Sequence, residues 1–161
     1  MKSIDQQLQQ LSEEAPQHGL SSAVVAVGVA PVLRRIAASL QQPAYFLSTN
    51  PNGDWLVTEI AHRQNPQQQR RVIYGFATLE DAAQFTQNQP DQMDAIAKSI
   101  PIIELLFSVF AQKDIDALIL FQQPGDLIYG TEIKQAHLQA QIMEQLKLLQ
   151  TKTPPSSSQL A

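Results

Sequence analysis

Between Ile102 and Gln112 only Glu104, Ser108 and the terminal Gln112 are clear polar positions in a run of Ile, Leu, Val, Phe and Ala. At a helical period this leaves no broad polar face, so a helix here needs cover on both sides, which the rest of the chain must supply. Downstream, Ile115 to Phe121 is an apolar run of high strand propensity, closed by the turn-like Gln122 to Gly125. Upstream, Asp94 to Ile100 reads as a short strand, because the approach to Pro101 favours extended backbone.

The remaining elements follow from periodicity and punctuation. Ser3 and Gln6 match a capping box, and Ile4, Leu8, Leu11 and Ala15 recur at helical spacing, so residues 3 to 15 are expected to form an amphipathic helix ended by Pro16 and Gly19. Ala23 to Val29 is Val-rich but flanked by Ala, and both strand and helix are defensible for it. Pro31 suits the first turn of a helix through Leu40. Ala44 to Ser48 reads as a strand. The Pro-Asn-Gly-Asp turn at 51–54 should return Trp55 to Ala61 as its antiparallel partner. A polar loop, His62 to Gln69, then leads to a third strand over Arg71 to Phe76, completing a meander. Thr78 is placed to cap a short helix ending near Gln87. A last helix is expected from about Thr131 to Leu149, with Ile133, Leu138, Ile142, Leu146 and Leu149 as its apolar stripe.

The expected class is α+β: an antiparallel sheet of about four strands packed with helices. One domain spans 1–150, with a helical N-terminal region (1–42) and a long C-terminal helix (131–150). The tail at 151–161 lacks apolar periodicity and reads as disordered.

Chemistry is excluded more readily than assigned. The absence of cysteine removes disulfides, a thiol nucleophile and Cys-ligated metals, and a net charge of -4 disfavours nucleic acid as a partner. His18, His62 and His137 form no pair at ligand spacing, and the one E-x-x-H, Glu59 with His62, lacks the second copy that a di-iron site needs; no metal or cofactor is expected. The phosphate-cradling and nucleophile-elbow motifs are missing, and a weak acid-base set (Glu59, His62, Asp54) does not make an enzyme. The loop PGDLIYG, from Pro124 to Gly130, reads as a strand-to-helix connection rather than an anion cradle. Arg63, Arg70 and Arg71, with Arg34 and Arg35, offer a local basic patch for a partner or a peripheral membrane contact, without the interleaved aromatics that bases would stack on. The start of the chain lacks the basic-then-apolar pattern of a secretory signal, and the most apolar segment, Ala23 to Leu33, is too short to span a bilayer, so a cytoplasmic or plastid-stromal protein is expected.

PAYFLSTNPNGDWLV, a polar loop, and then RRVIYGFATLEDAAQF resemble one module of the Tic-type translocon family of cyanobacteria and plastids, that of the twenty-two-kilodalton component. Asp81 and Ala82 match that family's helix after the third strand. IAKSIPIIELLFSVFAQ looks like its extended segment, proline and helix, and DALILFQQPGDL like its closing strand and turn, so the likeness covers about 43–127. A similar layout occurs in the SseB-like N-terminal domain. The family carries two modules and a targeting segment; this chain shows one module and no signal. The resemblance implies a non-enzymatic, chaperone-like module that holds polypeptide in an apolar groove, for which the residues expected to serve are Tyr45, Leu47, Trp55, Val57, Phe107 and Phe110. The second expectation is an accessory subunit that docks on a larger, membrane-associated or soluble assembly through the last helix or through Arg70 and Arg71.

Overall fold

The computed structural model describes residues 2–61, 64, 65, 67–88 and 94–152. Helix α1 (Ile4–Glu14) begins at the anticipated capping box, with the Ser3 hydroxyl accepting from the Gln6 amide and the Gln6 side chain accepting in return from the Ser3 amide. A 3-10 turn (Ala15–His18) stops at Gly19, whose φ of 75° is costly for any side chain with a Cβ. Ala23 to Val29, open between strand and helix from sequence, is helical. The short α2 (Ser22–Val24) runs into a π-helical turn (Val25–Val29), and α3 (Ala30–Ala38) continues from it. Pro31 explains the widened turn: a proline ring clashes with the carbonyl four residues back, and the Ala30 amide bonding to the Val25 carbonyl opens the helix just before it. Gly28 lets α6 (Gln135–Lys152) come close, since a Cβ there would lie 2.2 Å from Leu146 Cδ2.

Among the described residues the sheet has six strands and is mixed, which corrects the expectation of about four antiparallel ones. Strands β1 (Ala44–Thr49), β2 (Thr58–Ala61), β3 (Gln69–Phe76), β4 (Ile96–Pro101), β5 (Ala117–Phe121) and β6 (Thr131–Lys134) are arranged in the order β4-β1-β3-β5-β6, with β2 also on β3. β3 and β5 pair in parallel, Val72 opposite Ala117 through Phe76 opposite Phe121; the other pairings are antiparallel. Parallel neighbours need a long crossover, here through α4 (Leu79–Gln87), β4 and α5 (Ile102–Ala111).

The hairpin expected between 44–48 and 55–61 forms only at its closed end. Asp54 and Asn50 close the turn, Leu56 donates to the Ser48 carbonyl, and Trp55 bridges Thr49. Beyond that point β2 leaves β1 and pairs with β3, Thr58 opposite Val72. A further correction concerns the last helix: Thr131–Lys134 is the edge strand β6, and α6 runs Gln135–Lys152. Of the tail expected to be disordered, 153–161 lies outside the described residues, as do His62 and Arg63 of the loop.

Alternation along the strands sends side chains to two different environments. On one face Tyr45, Leu47, Ile73, Leu118 and Leu120 join the main core, which α1, α3, α5 and α6 close through Leu8, Leu33, Leu106, Leu138 and Ile142. The α5 run therefore receives the cover its composition calls for. Gln7 fastens this layer: its buried side chain donates to the Lys2 and Pro43 carbonyls and accepts from the Ile103 amide. On the other face α4 packs through Ala82 against Phe76 and Phe121, with the Ser48 and Thr86 hydroxyls bonded at 2.6 Å.

Candidate interaction surface

Helix α4 covers only part of its face. Tyr74 and Phe76 of β3, Phe121 of β5 and Phe85 of α4 form one aromatic cluster, with ring centres 5.0 Å apart for Tyr74–Phe85 and 5.3 Å for Phe76–Phe121. Phe76 and Phe121 lie buried, while Tyr74, Ile119 and Phe85 are half-exposed toward a depression of about 850 Å³. Burial raises the Tyr74 phenol above its ordinary pKa, against a smaller opposing pull from Arg70.

The loop from Gln122 to Gly130 forms the rim. The Gly125 amide donates to Asp81 Oδ2 of α4 at 2.8 Å, and Gly125 takes a φ of 83°. Asp126 Oδ1 then accepts from the Ile128 and Tyr129 amides at 2.9 and 3.0 Å, an arrangement that holds its carboxyl below the usual range. At the far end Gly130 crosses β5 so closely that a Cβ would lie 2.5 Å from Ile119 Cγ2. Pinned along its length, the loop projects Ile128 and Tyr129, each 80% exposed. Arg70 pairs with Glu132 across the other rim, near Lys134. An apolar floor with a charged, hydrogen-bonding rim is the usual layout of a surface that docks a polypeptide.

The residues expected from sequence to line a groove stand elsewhere. Tyr45, Leu47, Trp55 and Val57 do share one face, as their alternation implies, but it is the covered one. Tyr45 and Leu47 are fully buried under the helices and have no surface to offer a partner; Trp55 and Val57 are half-buried against the same core. Burial pushes the Tyr45 phenol up, its hydroxyl meeting Gln122 Oε1 at 3.3 Å. Phe107 is buried, 5.1 Å from the His18 ring and 6.0 Å from Phe110, which is half-buried. Phe107 does edge a smaller cavity of about 150 Å³ between α1 and α5, shared with Leu11, Glu14, His18 and Glu104. Arg70 is held by Glu132, Arg71 by Asp114 at 2.9 Å and Arg34 by Asp5, so these three are ion-paired within the chain, while Arg35 bonds the neutral amide of Gln141. The stripe on α6 is also spent internally, Leu138 and Ile142 being buried and Leu146 packed on the core.

Tyr74, Ile119, Ile128 and Tyr129 were not anticipated as surface residues. The signal available was Leu127, Ile128 and Tyr129 in succession inside a loop, where apolar side chains lack the periodicity that would bury them. Among the described residues no helix is long and apolar enough to cross a membrane, and no three His, Asp or Glu side chains gather into a metal-binding group. No protein-family model matches this chain, and no curated protein matches it.

Proposed function

We propose that this chain is a non-enzymatic polypeptide-binding module, chaperone-like in the sense that it holds an extended segment against the half-open face of its sheet. The observation that carries this reading is the pairing of a depression with an apolar floor, Tyr74 and Ile119, with two large side chains, Ile128 and Tyr129, held out in solvent by a braced loop. Exposed apolar side chains grouped beside a concavity mark interaction sites, whereas scattered ones do not. The resemblance to the Tic-type translocon family implies the same kind of activity, in the cytoplasm or on the stromal side of a plastid. Direct binding tests it: anisotropy of a fluorescent, reduced and alkylated polypeptide should report saturable association. Ile128→Asp combined with Tyr129→Asp should weaken that association about 10-fold or more, as expected for anchor residues at an interface. Unchanged affinity with the fold intact would remove the reading.

A second reading is an accessory subunit docked on a larger assembly. It is favoured by Val27, Met143 and Leu148, exposed on the helical side of the molecule. Stoichiometric capture of one defined complex, abolished by Met143→Asp and indifferent to the loop substitutions, would establish it.

A further inference from the structure

We infer that two copies of this chain pair edge to edge through β6, antiparallel about Ile133. Among the described residues β6 is the last strand in the sheet order, bonded to β5 on one side only. The Gln135 amide donates to the Asp116 carbonyl, and Ile133 and Thr131 stand opposite Leu118 and Leu120. Bonded and non-bonded pairs alternate in an antiparallel ladder, so residues 131, 133 and 135 spend their backbone groups on β5. Glu132 therefore presents its N–H and C=O groups to the open edge and Lys134 its N–H, the Lys134 carbonyl being taken by the first turn of α6.

Those same two residues carry opposite charges. In a two-fold pairing centred on Ile133, Glu132 of each copy faces Lys134 of the other. About two backbone hydrogen bonds form, from the Lys134 amide of each copy to the Glu132 carbonyl of the other, and unlike charges lie directly opposite on both sides of the axis. A two-fold interface requires this self-complementarity of one patch with itself. The Arg70 pair uses one oxygen of Glu132, leaving the other for the lysine of the second copy. The other described edges lack the property. On β4 the only charge is Lys98 and the strand ends in Pro101, while β2 carries Glu59 alone. Because Glu132 and Lys134 also line the depression, pairing places the two depressions side by side across the axis.

Sedimentation of the full chain from about 10 μM to about 1 mM, the range in which so small an interface associates, should show reversible dimerisation at low salt. Lys134→Glu, which sets like charges opposite, should weaken it about 10-fold or more, whereas Lys98→Glu on β4 should leave it unchanged. An equimolar mixture of Lys134→Glu and Glu132→Lys proteins should associate again, since every cross-strand pair in that heterodimer is of unlike charge. Carbodiimide coupling of the unaltered protein, mixed from two isotopic labellings, should yield Glu132–Lys134 peptides that join the labels. A monomer throughout the range would overturn the inference. So would a dimer indifferent to Lys134→Glu, or Glu132–Lys134 coupling confined to single copies.

Discussion

Leu118 and Ile119 are neighbours on β5, and their side chains leave the sheet in opposite directions. Leu118 enters a core closed by four helices and is fully buried; Ile119 emerges under a single nine-residue helix and stays half-exposed beside a depression. Both faces are apolar, so hydrophobicity alone does not separate scaffold from surface. What separates them is how much helix each face receives. The face under α1, α3, α5 and α6 has no room left for a partner, and the face under α4 has floor to spare.

The sharpest break of this contrast is to truncate the two neighbours. Leu118→Ala should cost about 3 kcal/mol in chemical denaturation, within the range for a fully buried leucine, and Ile119→Ala about 1 kcal/mol, because part of its surface already meets water. Equal costs would mean that the two faces are equally packed. Gly75 sharpens the picture of the closed side, since a Cβ there would lie 2.6 Å from Leu120 Cδ2 and 3.3 Å from Tyr45 Cβ. Gly75→Ala should therefore destabilise by about 2 kcal/mol through overpacking, measured the same way.

Tyr45 gives the closed face a pH signature. Its folded pKa is raised by burial, so its contribution is complete below the unfolded value near 10 and is lost as pH rises through the folded value. Denaturation midpoints should fall above pH 10, and Tyr45→Phe should flatten that fall; an unaltered alkaline limb would show the phenol to be solvated. Smallest of all, Ile128→Ser and Tyr129→Ser should each move stability by no more than about 0.5 kcal/mol, because neither side chain is packed. A larger loss would mean that the loop serves the fold, not a partner.

Much of the scaffold was legible from local chemistry. The Ser3–Gln6 box, the Thr78 cap and the proline before α5 act within a few residues, and each stands where the sequence put it. The parallel pairing of β3 with β5 was not legible as such, because it is set by which strands meet after a crossover rather than by either strand alone. The same holds for β2, which carries a hairpin turn yet finds its partner in β3. For the candidate surface, alternation correctly grouped Tyr45 with Leu47 and Trp55 with Val57. It carries no information on which face the helices would cover, and that decided the outcome. Thr131 to Lys134 reads as a helix start from sequence because Ile133 joins the apolar stripe of the helix that follows; the bonds to β5 make it a strand.

The face under α4 is the one proposed to meet a partner. Amide chemical-shift mapping with a reduced and alkylated polypeptide tests that most directly. Shifts should concentrate at Tyr74, Ile119 and the Leu127–Tyr129 loop, leaving α1 and α5 undisturbed. Shifts confined to the helical side, or none at saturating polypeptide, would contradict it.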